Sequence, residues 1–193
     1  METEKKRTHK FLVLVPHRDI RNELQKNCDS AIKAAIKAQL AGAYTFPRVT
    51  PLASLSKALE DDELKQITRS LRKKIGKNKI LLYEDAVIPF PCDEKNLVLY
   101  GPRLDIDIHQ DFFKNISKKI NYFFPSFVIG YFLKSEDNTK LNVFCETPQK
   151  ESGFRAAAVA NMYWRSSQIN GEICYKWKIG KLFWLPRPQR TDD

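Results

Sequence analysis

The first part of the chain alternates short apolar runs with helical periodicity. Residues 11–16 are almost entirely apolar and end in a proline, a pattern typical of a buried strand. Every fourth residue from Ile20 to Leu40 is apolar, which predicts one long helix over residues 19–42 or two helices divided at residues 29–30. Residues 46–59 contain two prolines, at positions 47 and 51, before a stretch of small residues that indicates another short strand.

A second helix is predicted directly after this segment. Asp61 or Asp62 is placed to cap its first turn, and Gly76 is placed to end it. The apolar positions share one face, formed by Leu64, Ile67, Leu71 and Ile75. Basic residues cluster on the opposite side and at the exit, a pattern typical of a solvated face: Lys65, Arg69, Arg72, Lys73, Lys74 and Lys77.

Strand patterns dominate from residue 79 onwards. Turn-forming residues bound them, among them Pro91 and the pair Gly101 and Pro102. The predicted strands cover residues 79–83, 86–90, 96–100, 104–108, 126–133, 154–164 and 173–179. A third helix is predicted from the spacing of Phe112, Ile116, Ile120 and Phe123, and a polar loop is expected over residues 135–153.

Helices and strands are interspersed along the whole chain, and no linker divides it. We therefore predict a single bilobed α+β domain over residues 11–188. A charged segment at residues 1–10 precedes it, and a frayed tail at residues 189–193 follows it. The charged amino terminus and the shortness of the apolar run at 11–16 favour a cytoplasmic protein without a signal peptide or a membrane span.

Composition narrows the class of protein and of partner. The chain has 193 residues, of which 42% are hydrophobic and 29% are charged, as in ordinary globular proteins, so fibrous and wholly disordered classes are excluded. Lysine and arginine number 33 against 23 acidic residues, and the formal net charge of +10 favours anionic partners.

Metal and cofactor sites are not indicated by the sequence. The four cysteines are widely separated, without a paired spacing or a clustered histidine, and buried free thiols are expected. Asp105, Asp107 and His109 alternate along one predicted strand and have a spacing that suits metal ligands, but the outward face of an amphipathic strand is the favoured interpretation. No glycine-rich nucleotide loop occurs, so no cofactor is predicted.

Three phrases and their order carry a resemblance to a known family. They are FLVLVPHRDIRNELQ, then FPRVTPLASLSKAL before the second helix, and FRAAAVANMYWR before the closing YKWKIGKLFWLPRP. In this order they resemble the two-histidine phosphoesterase superfamily, which includes the bacterial 2'-5' RNA ligase and RNA 2',3'-cyclic phosphodiesterase proteins. The resemblance covers most of the chain. It implies a bilobed (LigT-like) fold with two antiparallel-rich sheets flanked by helices around a central groove.

The family's two catalytic motifs are degenerate in this sequence. In the family, one imidazole takes a proton from the attacking hydroxyl and the other protonates the leaving oxygen, while paired hydroxyls hold phosphate. Residues 54–56, Ser-Leu-Ser, occupy the first motif in this register, and residues 157–159, Ala-Ala-Val, occupy the second. Both imidazoles are missing, so the resemblance predicts loss of the standard phosphodiesterase reaction and no catalytic residue.

A ligand site is still predicted around the two motif positions. Ser54 and Ser56 carry hydroxyls suited to phosphate oxygens, and Arg48 and Arg155 carry guanidinium groups suited to paired oxygens. Tyr163, followed by Trp164 and Arg165, is placed to stack on a base, although burial of the tryptophan is an equal alternative. Trp177 and Trp184 are assigned to core or strand packing, and His9 is expected to be solvated.

Three functions remain open from the sequence. The first is a catalytically lapsed protein that binds a phosphate ligand such as an RNA end or a nucleotide. The second is a phosphodiesterase that works through an unusual set, such as Ser54, Ser56 and Arg155 with His17 or His109. The third is a module whose basic surface meets an acidic protein partner.

Overall fold

Most of the described secondary structure consists of antiparallel strands. The computed structural model describes residues 8–17, 33, 44–45, 48–75, 80–89, 97–104, 110–122, 130–133, 153–154, 156–169 and 172–185. The strands are β1 (Thr8–Pro16), β2 (Tyr44–Thr45), β3 (Thr50–Leu55), β4 (Ile80–Pro89), β5 (Leu97–Leu104), β6 (Ile120–Tyr122), β7 (Gly130–Leu133), β8 (Gly153–Phe154), β9 (Ala156–Ile169), β10 (Glu172–Ile179) and β11 (Phe183–Trp184). The described helices of more than one residue are α1 (Asp61–Ile75) and α2 (Gln110–Lys114). The chain is therefore a mixed α+β protein, as predicted at this level.

The larger sheet has six strands and is built around β1. Its order is β10-β9-β1-β3-β6, and β11 continues the β10 edge by pairing with β9. The apolar run predicted as a buried strand is confirmed, because residues 11–14 are fully buried. Successive side chains of a strand point to opposite faces, so a run buried at every position shows that this part of the sheet is covered on both faces.

Helix α1 packs on one face of this sheet. Its apolar residues repeat at helical spacing, and the predicted face, Leu64, Ile67, Leu71 and Ile75, is buried. It forms one core with β1 residues Leu12 and Leu14 and with Leu52 of β3. Burial of these side chains is the main stabilising contribution, at about 1.5–3 kcal/mol for each fully buried large side chain.

The first turn of α1 is closed differently from the prediction. The backbone N–H of Leu64 donates to the carbonyl of Glu60 over 3.0 Å, which makes Glu60 the N-cap. The carboxylate of Glu63 accepts from the N–H of Glu60 over 2.8 Å. Asp61 and Asp62 pair instead with lysine side chains, of Lys181 and Lys65 respectively, so the expected aspartate cap is wrong.

The predicted third helix is confirmed only over the five residues of α2, and its continuation to Ile120 and Phe123 is not. Helix α2 ends at Lys114, and Ile120 lies in β6, where it pairs with Leu55 of β3. Phe113 is buried completely and Ile116 partly, so the apolar spacing marks core positions in both helix and strand. A tertiary pairing with the edge of β3 has overridden the local helical period.

The smaller sheet has the order β2-β7-β5-β4-β8, with every pair antiparallel. Residues 80–89 form one strand with an irregularity between Leu82 and Asp85, where the sequence predicts two strands. Gly101 and Pro102, predicted to end a strand, lie inside β5 and pair with β4. The strand predicted at 126–133 is confirmed over β7, and its first four residues lie outside the described part of the chain.

Several sequence predictions fall outside the described residues. They concern the long helix at 19–42, where only Lys33 is described and is helical, the end of α1 at Gly76, the pattern at 105–109, the loop at 135–152 and the tail. Strand β1 begins at Thr8, so the end of the predicted charged segment belongs to the sheet. No helix among the described residues is long and apolar enough to cross a bilayer.

Candidate anion-binding face

Four cations and one tyrosine share one face of the six-stranded sheet, across β1, β9 and β10. Tyr163 of β9 pairs with Lys10 of β1 on one side and with Lys178 of β10 on the other. In the next row of this face, Arg165 of β9 pairs with Lys176 of β10. Directly paired residues point to the same side of an antiparallel sheet, so these five residues form one surface, called here the cationic face.

Strict alternation in the sequence builds this surface. In β9, Tyr163 and Arg165 alternate with Met162 and Trp164, which are almost completely buried on the other side. Strand β10 has exposed lysines on either side of Trp177, which points to the other side of the sheet and is itself exposed. The period of two therefore sends the cations to one side and the large apolar residues to the other.

Helix α1 covers the same side of the sheet further along β1. Leu12 and Leu14 lie on that side and belong to the core formed with α1, whereas Lys10 is only half-buried. Tyr163 is also half-buried, and the other three members of the cationic face are exposed. The surface therefore begins where the helix no longer covers the sheet.

The charges of the cationic face are not balanced within the part of the chain that the structure describes. Arg165 and Lys176 lie directly opposite each other, and like charges in this position destabilise a sheet. None of the four cations forms an ion pair with a described residue. By contrast, Lys65, Lys114, Lys119 and Lys181 each pair with a carboxylate.

Protection of a sheet edge accounts for only part of this charge. Lysines on an edge strand discourage pairing with another chain, and Lys176 and Lys178 occupy such a strand. Lys10 and Arg165 lie on interior strands, where both neighbours are already paired. Protection of a sheet edge therefore does not explain the charge of these two residues.

The arrangement suits binding of phosphate groups. Guanidinium groups grip two oxygens of a phosphate, and lysine ammonium groups act as point charges nearby. Tyr163 adds an aromatic ring between two lysines, a combination found where single-stranded nucleic acids bind. Among the described residues, no group of three or more metal-ligating side chains occurs.

Ser54 and Ser56 lie together, but away from this surface. The Ser54 Oγ donates to the carbonyl of Asn121 over 3.4 Å, and the Ser56 Oγ donates to that of Lys119 over 3.4 Å. Ser54 pairs with Phe11, one position along from Lys10, and so points to the opposite side from Tyr163. The structure therefore does not bring the serines and the predicted stacking residue to one face.

The second motif segment lies inside the protein. Ala158 and Val159 are fully buried and Ala157 is 8% exposed. Val159 pairs with Leu14, which pairs in turn with Thr50, so this segment lies level with the start of β3 rather than with residues 54–56. The Thr50 hydroxyl is buried and has no hydrogen-bond partner among the described residues.

Arg48 and His17 are found at the other end of the sheet. Arg48 lies two residues before β3 and His17 directly follows β1, and these strands are antiparallel, so both residues lie at the same end. Each is half-buried. This end is about 20 Å along β1 from Lys10. Arg155 and His109 lie outside the described residues.

The structure bears on three further sequence predictions, for His9, for Trp177 and Trp184, and for Trp164. His9, expected to be solvated, is half-buried, and its Nε2 atom is buried with no hydrogen-bond partner among the described residues. Trp177 and Trp184 lie on strands but are 48% and 57% exposed, so they are not core residues. Trp164 is 1% exposed, which confirms packing as its role.

The sequence singled out Tyr163 and Arg165 but missed Lys10, Lys176 and Lys178 as partners. The alternation of Lys176, Trp177 and Lys178 indicates that the two lysines share a face. No sequence signal shows that Lys10, more than 150 positions earlier, pairs with Tyr163, because that pairing depends on the register of β1 against β9.

Comparison with known proteins adds no family to this description. No protein-family model matches the chain, and no curated protein matches it.

Proposed function

We propose that this protein binds a phosphate-bearing ligand, an RNA end or a nucleotide, through the cationic face. The observation that carries the proposal is the pairing of Tyr163 with Lys10 and Lys178, next to the unbalanced pair Arg165 and Lys176. Four cations close together on a sheet attract a polyanion at long range and hold its phosphates at short range.

The proposal includes a bilobed fold of the two-histidine-phosphoesterase type without its standard reaction. The two antiparallel sheets are compatible with such a fold. Proton transfer by paired imidazoles supplies about 10²- to 10⁴-fold in such reactions, and residues 54–56 and 157–159 contain none. Binding, rather than cleavage, is therefore the function we assign.

Titration of a fluorescently labelled single-stranded RNA, about ten nucleotides long, with the purified protein tests the proposal. At physiological salt we expect a dissociation constant of roughly 1–100 µM, as for sequence-independent phosphate binding, and tighter binding at low salt. A labelled nucleotide and an acidic peptide of equal charge are titrated in parallel. Affinity weaker than millimolar for both the RNA and the nucleotide contradicts the proposal, as does preferential binding of the peptide.

A matched pair of variants locates the site. Arg165→Gln with Lys176→Gln removes two charges from the cationic face, and we expect the affinity for RNA to fall at least tenfold. Arg69→Gln with Lys73→Gln removes the same charge from the exposed side of α1 and is expected to leave the affinity nearly unchanged. Equal losses in both double variants would show that net charge alone governs binding.

A further inference from the structure

We infer, resting on the proposed function, that the ligand of the cationic face is a single-stranded polynucleotide, one base of which stacks on Tyr163. The ring lies between Lys10 and Lys178 in one row of the sheet, and Arg165 and Lys176 form the adjacent row. The site therefore has an aromatic surface with cations on both sides of it and beyond it.

The spacing of the two rows sets how many phosphates bind. Residues two apart on a strand are about 6.4–6.8 Å apart, which is comparable to the distance between successive phosphates of an extended single strand. One phosphate then lies beside Tyr163, near Lys10 or Lys178, and the next lies at Arg165 and Lys176. A single phosphate group engages only one of these rows, so the site favours at least two linked phosphates.

The position of Tyr163 favours an unpaired base. Its ring extends along the sheet towards Gly180, where a Cβ atom would lie 3.6 Å from the ring carbon Cε2. That distance is an ordinary van der Waals contact, so the ring lies beside the backbone that directly follows β10. In a duplex the bases stack on each other inside the helix and cannot reach a ring on a sheet, whereas a single strand can turn a base onto it.

Trp177 provides an internal control for this assignment. It is 48% exposed and lies on β10 between Lys176 and Lys178, but it points to the opposite side of the sheet, where it pairs with Trp164. A ligand held by the cationic face stacks on Tyr163 and not on Trp177. A ligand attracted simply to the most exposed aromatic residue beside a lysine would instead stack on Trp177 rather than on Tyr163.

Binding to the unaltered protein gives the first test. We compare single-stranded RNA, the same sequence as a duplex, an abasic ribose-phosphate oligomer of equal length and inorganic polyphosphate of equal charge. We expect the single strand to bind about 5- to 100-fold more tightly than the abasic oligomer, the range that stacking of one base supplies. Equal affinity for the abasic oligomer, the polyphosphate or the duplex overturns the inference while leaving phosphate binding intact.

Variants give the second test, with retention of the fold checked by circular dichroism. Tyr163→Leu is expected to remove the preference for the single strand over the abasic oligomer, while Tyr163→Phe and Trp177→Leu retain it. Retention in Tyr163→Leu, or loss in Trp177→Leu, overturns the inference. Binding to anionic phospholipid vesicles but to no nucleic acid would contradict the proposed function itself, and so would the absence of any binding.

Discussion

Asn161 of β9 holds the backbone of Leu59 by two hydrogen bonds across 102 positions of the chain. The N–H of Leu59 donates to Oδ1 over 3.3 Å, and Nδ2 donates to the carbonyl of Leu59 over 2.8 Å. Both residues are buried. Leu59 lies in the turn between β3 and α1, so one amide side chain fixes where the helix leaves the sheet. Tyr163 is two positions further along the same face of β9.

Asn161→Ala is expected to destabilise the protein by about 2–4 kcal/mol, because it leaves the buried N–H and carbonyl of Leu59 without partners. Urea unfolding measures the change as a lower midpoint at an unchanged slope. Asn121→Ala, at an exposed position of β6, is the control and is expected to stay within about 0.5 kcal/mol of the unaltered protein. Equal midpoints for the two variants would contradict the role assigned to Asn161.

Glu63 should make stability depend on pH in the acidic range. Burial alone raises the pKa of this carboxyl group, but hydrogen bonds from Lys119, the N–H of Glu60 and Ser117, with the Lys119 charge, outweigh it and hold the pKa below the usual 4.5. The Lys119 Nζ lies 2.7 Å from Glu63 Oε2. A lowered pKa in the folded state means that ionised Glu63 stabilises the fold above pH 4.5, and this stabilisation is lost as pH falls through the folded pKa.

Unfolding midpoints in urea at about pH 6 and below 4.5 test this prediction. The unaltered protein is expected to lose more stability on acidification than Glu63→Gln. Glu60→Gln removes an exposed carboxylate from the same turn and should follow the unaltered protein. If Glu63→Gln and Glu60→Gln have the same pH dependence, the pair of Glu63 and Lys119 does not make the predicted contribution.

Salt should weaken RNA binding in proportion to the phosphates engaged. For single strands, the logarithm of the affinity falls against the logarithm of the salt concentration by about 0.7 for each phosphate contact. Arg165 and Lys176 together hold one phosphate in the proposed site, so removing both is expected to reduce this slope by about 0.7. The double variant Arg69→Gln with Lys73→Gln is expected to keep the slope of the unaltered protein. A slope unchanged by the loss of Arg165 and Lys176 would show that phosphates bind elsewhere.

No cleavage of a 2',3'-cyclic phosphate RNA end is expected from the purified protein. Ser54 and Ser56 donate to backbone carbonyls, and the side chains of Ala158 and Val159 are buried and apolar, so these positions supply no base or acid. Chromatography of the reaction products measures cleavage. Turnover that disappears in Ser56→Ala and His17→Ala would instead support the alternative of an unusual phosphodiesterase.

Much of the central sheet and α1 follows from local patterns. The apolar run of β1, the helical spacing of Leu64, Ile67 and Leu71, and the alternation of buried and less buried residues in β9 each reflect burial on one or both sides. The failures occur where a distant partner decides. Ile120 has helical spacing from Phe112 and Ile116, yet it joins β6 because its backbone pairs with Leu55.

Less of the candidate site could be predicted from the sequence, because it too depends on pairing between strands that are distant in the chain. Tyr163 was identified from its own segment, but Lys10 reaches it only through the pairing of β1 with β9. A shift of that register by one residue would send Lys10 to the other side of the sheet. Grouping Ser54 with Tyr163 required the two to share a face, which strand alternation does not allow.

The most direct test of the cationic face is the acetylation of individual lysines with and without saturating single-stranded RNA, followed by mass spectrometry. Lys73 and Lys114 lie on helices away from this surface and serve as internal references. The proposed binding predicts that RNA protects Lys10, Lys176 and Lys178 while the two references react as before. Unchanged acetylation of those three lysines, or protection confined to the helical lysines, would contradict it.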